Sequence, residues 1–137
     1  MLDSKLRLFH SLLAWALCAS TAGGAFARDF TVTVVPEQPT RLHAYYSWGP
    51  GCSFQTVTAN ASVKPAHGTL IPHAVMQTIG ANPRFGKAGN CAGKQHEALQ
   101  IDYKSAPGYH GTDSFTVDII FGYQDRHDVD HFSIVVP

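Results

Sequence analysis

The residues of this chain with the clearest capacity for metal chemistry lie near its C terminus. Imidazole and carboxylate side chains stand close together there, in the group His127, Asp128, Asp130 and His131. Both side-chain types bind Zn²⁺ or Cu²⁺ in proteins. A metal-binding protein is therefore one function that this sequence allows.

Strand geometry restricts such a site. On a straight strand, residues four apart are separated by about 13 Å, which is farther than one metal ion can bridge. His127 and His131 would share a metal only if the chain turns between them or another strand supplies a ligand. The alternative is a solvated hairpin turn whose charges keep a sheet edge polar.

Calcium binding and nucleophilic catalysis lack their characteristic patterns. Asp113, Asp125, Asp128 and Asp130 offer oxygen ligands for calcium, but the chain has neither an EF-hand loop nor a nonapeptide repeat. No G-x-S-x-G nucleophile elbow is present. We expect no enzymatic activity and no resident cofactor.

An aromatic cluster offers a second type of site. On a strand, Tyr46 and Trp48 point to one side and Tyr45 to the other, so at least one of these rings is expected outside the core. If Tyr45, Trp48 and Phe85 are exposed together, they form a contact surface for a protein or a glycan. The alternative is that Trp48 packs under a disulfide.

The first 27 residues are typical of a secretory signal peptide. Lys5 and Arg7 precede an apolar run at residues 8–19, and the small-residue site Ala25-Phe26-Ala27 follows. Cleavage after Ala27 would leave residues 28–137 as one domain with one modest core. The apolar run is too short for a comfortable membrane span, so we expect no membrane insertion of the mature form.

Cysteine usage fits an exported chain. Of the three cysteines, Cys52 and Cys91 follow the signal peptide, and they are expected to form a disulfide in an oxidising compartment. A lipoprotein interpretation, with Cys18 acylated, is disfavoured because Leu17 stands where a small residue is required. We expect the domain in the periplasm, outside the cell or at its surface.

Charge narrows the choice of partners. The formal net charge is zero at pH 7, and the Lys and Arg residues are scattered, which gives no electrostatic footprint for nucleic acid. No basic amphipathic helix indicates attachment to a membrane. We expect a monomer or a weak oligomer.

Alternation of apolar and polar residues predicts an all-β fold. Many short strands separated by Gly, Pro, Asn and Asp favour an antiparallel sandwich of about seven strands, of the Ig-like type. The predicted strands lie near Phe30–Val35, Arg41–Ser47, Phe54–Ala61, Thr69–Ile79, Ala98–Tyr103, Ser114–Gly122 and Val129–Val136.

A highly specified corner joins the fifth and sixth predicted strands. Its defining residues are Pro107, Gly108, Tyr109, Gly111, Asp113 and Phe115. Pro107 fixes its own φ, while Gly108 and Gly111 permit backbone angles that a side chain would penalise. We expect Asp113 to accept hydrogen bonds from backbone donors and the Tyr109 hydroxyl to reach the main chain.

These motifs carry a family resemblance. The segment Tyr103–Val117 resembles the Y-x-P-x-x-G-Y-x-G-x-D-S-F-x-Y/V signature of bacterial cadherin-like and tandem Ig-like surface domains. Upstream, Lys64–Leu70 resembles their P-x-H-G-T segment, and Phe132–Val136 resembles their last strand. The resemblance implies a cadherin-like sandwich, and it implies no catalytic residue.

Three functions remain open on these grounds. The first is a non-enzymatic binding or structural module that contacts a protein or glycan partner. The second is a periplasmic metal-binding protein that uses the histidines and aspartates. The third is a secreted protease inhibitor, since the Asn82–Gly86 loop resembles the N-P-containing loop of small Ig-like inhibitors of cysteine proteases.

Overall fold

The structure, a computed structural model, describes residues 26–80, 91–123 and 126–137. Its strands in chain order are β1 (Phe26–Thr33), β2 (Thr40–Tyr45), β3 (Ser47–Trp48), β4 (Phe54–Gln55), β5 (Val57–Val63), β6 (Gly68–Thr78), β7 (Gln95–Ser105), β8 (Gly111–Phe121) and β9 (Arg126–Val136). A 3₁₀ turn at Pro50–Cys52 separates β3 from β4. Across the described ranges, no helix is long and apolar enough to cross a membrane.

Seven of these strands form two sheets. In one sheet the order is β1, β9, β8, β5, and in the other it is β2, β7, β6, while β3 and β4, among the described strands, pair only with each other. β1 runs parallel to β9, and the other pairs are antiparallel. The chain crosses from one of these sheets to the other between β1 and β2, between β5 and β6, and between β7 and β8. This arrangement confirms the predicted antiparallel Ig-like sandwich.

Alternation along β8 and β9 produces the core between the sheets. Every second residue of β8 from Asp113 onward is buried, and β9 shows the same period. Aromatic rings stack through the core from one sheet to the other: Tyr103 on Phe115 at 6.2 Å between centroids, Phe115 on Phe132 at 4.9 Å, and Phe132 on Phe30 at 4.9 Å. Such offset contacts add stability beyond the burial of area.

The carboxylate of Asp113 joins the corner to a distant turn. It accepts hydrogen bonds from the backbone N–H groups of Ala66 (3.0 Å), His67 (2.9 Å) and Ser114 (2.9 Å), and from the Tyr103 hydroxyl (2.9 Å). Two of these donors belong to the turn that precedes β6. The prediction that Asp113 binds backbone donors is confirmed, and most of those donors come from outside its own corner.

Tyr109 completes the corner as predicted. Its hydroxyl donates to the Thr112 carbonyl at 2.6 Å, and its ring stacks on His67 at 4.2 Å between centroids. Gly111 has a φ of 134°, and a Cβ there would lie 3.2 Å from the Tyr109 hydroxyl, so the position requires glycine. The segments that contain His67 and Tyr109 therefore form one packed unit.

Replacing Asp113 with Asn is expected to destabilise the fold by at least about 2 kcal/mol, because buried donors lose a charged acceptor. Burial alone would raise the pKa of Asp113, but hydrogen bonds from His67, Ala66, Tyr103 and Ser114 lower it. Its contribution is therefore present above the pKa of an unfolded Asp and is lost as pH falls through the lower folded value. Urea unfolding between pH 2 and pH 7 measures both effects.

The matched control is Asp118→Asn, on the same strand but half-exposed on the outer face. It should leave the free energy of unfolding within about 0.5 kcal/mol of the parent protein. Equal losses in the two variants would contradict the role given to Asp113.

Candidate binding surface

Between β2 and β5 the chain leaves the sandwich and builds a small separate unit. Trp48 of β3 pairs with Phe54 of β4 across the 3₁₀ turn, where Gly51 has a φ of 68°. Ile79 and Lys94 approach this hairpin and are joined by a backbone hydrogen bond of 2.9 Å from the Ile79 N–H to the Lys94 carbonyl. We call residues 46–55, with residues 79 and 91–94, the disulfide lobe.

The predicted disulfide between Cys52 and Cys91 is present, with 5.5 Å between the two Cα atoms. Around it is a second apolar cluster, distinct from the sandwich core, in which Tyr46 and Trp48 pack against Ile79. The rings of Tyr46 and Trp48 stack at 5.7 Å between centroids. Trp48 thus packs at the disulfide and is half-buried, which was the alternative to a fully exposed contact.

The three predicted contact residues do not form one surface. Tyr45 is only 2% exposed and lies in the sandwich core, so the expectation that its ring is exposed with the other two is wrong, and it contributes only to the lining of a cleft. Strand alternation explains it, because Tyr45 points inward where Tyr46 points toward the lobe. Phe85 lies outside the described residues. Of the two predicted contacts that the structure describes, Trp48 is the one that remains at the candidate surface.

Phe54 is an aromatic residue at this surface that the sequence analysis missed. Its side chain is 52% exposed, and its ring lies 5.4 Å from the ring of His96. The signal in the sequence was the Gly-Pro-Gly-Cys turn between Trp48 and Phe54, which would have placed the two rings side by side as a hairpin pair. The sequence analysis placed Phe54 at the start of a strand that ends at Ala61, and therefore did not pair it with Trp48.

A cleft of about 220 Å³ opens beside Phe54, where β5 faces β6 and β7. Apolar side chains line most of it, among them those of Val57, Ala74 and Leu99, and Glu97 supplies a carboxylate. Met76, the register partner of Glu97 on β6, is 64% exposed. The cleft and the lobe together make an apolar surface with a polar rim.

His96 lies beneath Phe54 and has one unsatisfied nitrogen. Nδ1 is 3.0 Å from the Glu97 carbonyl. Because a carbonyl can only accept, Nδ1 carries the proton and Nε2 carries the lone pair. Nε2 is buried and has no hydrogen-bond partner in the described part of the chain.

The proposed metal ligands on β9 are not brought together. His127 and His131 are exposed, whereas Asp128 and Asp130 are fully buried on the opposite face of the strand. No group of three or more His, Cys, Asp or Glu side chains in the described ranges is arranged to hold a metal ion. The strand stays extended through all four positions, so the chain does not turn between His127 and His131.

The two buried aspartates instead belong to an ion-pair network inside the sandwich. Arg28 of β1 binds Asp130 through two hydrogen bonds of 2.8 and 2.6 Å, and Arg126 binds Asp128 in the same bidentate manner. The Tyr45 hydroxyl donates to Asp130 at 2.6 Å. Burial, with the hydrogen bond and charge of Asp130, raises the pKa of Tyr45, so it remains a donor.

Replacing Tyr45 with Phe removes one donor from a buried carboxylate and is expected to cost roughly 1.5–3 kcal/mol of stability, the range for hydrogen bonds to charged groups. Tyr46→Phe is the matched control, since its ring packs in the disulfide lobe. Thermal and urea unfolding of both variants measures the difference. If Tyr46→Phe were as destabilising as Tyr45→Phe, the loss of stability could not be assigned to the hydrogen bond between Tyr45 and Asp130.

Reduction of the disulfide is expected to lower the free energy of unfolding by about 4 kcal/mol or somewhat less, the chain-entropy value for a loop of this length. The two cysteines are 39 residues apart in sequence. Because the lobe has its own apolar cluster, Trp48 fluorescence should change at denaturant concentrations that leave the far-ultraviolet circular dichroism of the sandwich intact. Coincident transitions with unchanged midpoints would contradict both expectations.

Comparison with known proteins identifies no relative. No protein-family model matches the chain, and neither curated proteins nor solved structures show a match.

Proposed function

We propose that this protein is an exported, non-enzymatic binding module of the periplasm or cell surface that contacts a protein or glycan partner. The observation that carries the proposal is the apolar surface at one end of the sandwich. Phe54 and Met76 are both more than half exposed there, beside the half-buried Trp48 and the cleft. Exposed apolar groups with a polar rim are typical of interaction sites.

The framework behind this surface supports a binding function. Two hydrogen-bonded sheets and a disulfide support this surface and hold its backbone in place in the free protein. A preformed surface loses less conformational entropy on binding than a mobile loop. The aromatic rings also present large contact areas with few rotatable bonds, as interface residues commonly do.

The buried polar groups support a role without catalysis. Asp113, Asp128 and Asp130 are held by hydrogen bonds or ion pairs inside the fold. Because these carboxylates already have hydrogen-bond partners inside the fold, we assign them a structural role. Export is supported by the signal-like N terminus and by the disulfide, which persists in oxidising compartments.

The mature chain offers an intrinsic probe of this surface. The sequence has two tryptophans, Trp15 in the expected signal peptide and Trp48 in the lobe. Titrating the mature domain with oligosaccharides and with peptides should change the intensity or wavelength of Trp48 emission when a partner binds. We expect a saturable change with at least one of these two classes of ligand.

The variant Phe54→Ala should weaken that binding at least tenfold while leaving the melting temperature nearly unchanged, because the side chain is exposed. Val63→Ala is the control, since Val63 is 55% exposed at the other end of β5. Binding that survives Phe54→Ala and is lost in Val63→Ala would place the interaction elsewhere and overturn the assignment of this surface.

A further inference from the structure

The free edge of β6 borders the cleft and has an unusual residue in it. β6 pairs with β7 on one side, and no other described strand pairs with it. Pro72 lies within β6, opposite Ile101, and the register with β7 continues without a shift on both sides. Since proline has no N–H, its nitrogen must face away from β7, toward the free edge.

The position of Pro72 shows which backbone N–H and C=O groups of β6 point toward the free edge. In an antiparallel pair, residues alternate between those that exchange hydrogen bonds with the partner strand and those whose N–H and C=O point away. Ala74 and Met76 share the parity of Pro72. Their N–H and C=O groups therefore point to the free edge, where another strand could meet them.

The side chains at the same positions face the sandwich side of the sheet. Ala74 lines the cleft, and Met76 is opposite Glu97, whose side chain also lines it. No described residue forms an ion pair or a hydrogen bond with the Glu97 carboxylate. This edge of β6, which no described strand covers, thus adjoins an apolar cleft that carries the negative charge of Glu97.

We propose that the free edge of β6 at Ala74 and Met76 accepts an extended peptide segment of a protein partner as an additional strand. A large apolar side chain of that segment enters the cleft, and a Lys or Arg two residues away meets Glu97. Main-chain hydrogen bonds provide affinity in this mode of recognition, and the pocket and charge provide specificity. The inference rests on the proposed binding function and names its partner class.

The backbone geometry of the β6 edge favours a peptide over a glycan. Alternate residues of an extended peptide point to one face, so an apolar residue and a cation two positions apart both face the cleft. The N–H and C=O groups of the edge match those of a peptide strand. Pro72 also limits pairing along the rest of the edge, which reduces indiscriminate association between sheets.

The test uses the mature domain and the capped peptide acetyl-Ser-Thr-Leu-Thr-Lys-Thr-Ser-amide. Binding is followed by amide chemical shifts in ¹⁵N-labelled protein, which detect affinities as weak as millimolar. We expect saturable shifts at Ala74, Met76 and Leu99. A peptide with Glu in place of Lys should bind several-fold more weakly, and one with N-methyl groups on its edge-facing amides should not bind.

Two protein variants separate the parts of the proposed site. Glu97→Gln should weaken binding of the Lys peptide about two- to fivefold, as expected for an exposed ion pair, and should remove the preference over the Glu peptide. Ala74→Leu, which fills the cleft, should abolish the shifts at Leu99. Melting temperatures establish that both variants remain folded.

The outcomes that overturn the proposal are distinct from those that overturn the binding function. Equal binding of the Lys, Glu and N-methylated peptides, or no shifts near β6 with any of them, would reject strand addition at this edge. If an oligosaccharide or another ligand still changed Trp48 emission in a Phe54-dependent manner, the binding function would stand and only the peptide inference would fail.

Discussion

The Asp113 carboxylate is the interaction on which the sandwich most depends. It draws the turn before β6, the end of β7 and the start of β8 to one point, using three backbone donors and the Tyr103 hydroxyl. Tyr103 is fully buried, and a Cβ on Gly68 would lie 2.4 Å from its ring, so the turn can approach only because glycine stands there. The two sequence motifs that resemble bacterial surface domains are therefore two halves of one hydrogen-bonded unit. Their co-occurrence has a physical cause within this chain.

The molecule divides its stability between two apolar clusters with different means of support. Stacked aromatic rings stabilise the sandwich core, together with the ion pairs between Arg and Asp residues of β1 and β9. The disulfide lobe has few buried residues of its own, with Ile79 and Cys91 at its centre, and it depends on a covalent link to stay in place. The candidate surface lies where these two units meet. The disulfide lobe supplies Phe54 and the sandwich supplies the cleft, so the surface needs both units.

Much of the fold could be predicted because its signals are local. Period-two alternation indicated the long strands, and the corner residues carry their geometry in their types. The partners of Asp113 could not be predicted, because the His67 N–H lies 46 residues away and no local pattern specifies that distance. The burial of Asp128 and Asp130 could not be predicted from the local sequence either. Their parity placed them on the buried face, but their charge indicated solvent, and the bidentate contacts of Arg28 with Asp130 and of Arg126 with Asp128 reconcile the two.

The proposed function requires that a partner binds at the end of the sandwich that carries Phe54. The most direct measurement replaces Phe54 with the photoreactive residue benzoylphenylalanine in the producing cell and identifies what is crosslinked on irradiation. The same replacement at Val63 serves as the reference position. If the proposed function is correct, a discrete adduct forms from position 54 and none forms from position 63. Adducts of equal yield from both positions, or from position 63 alone, would contradict it.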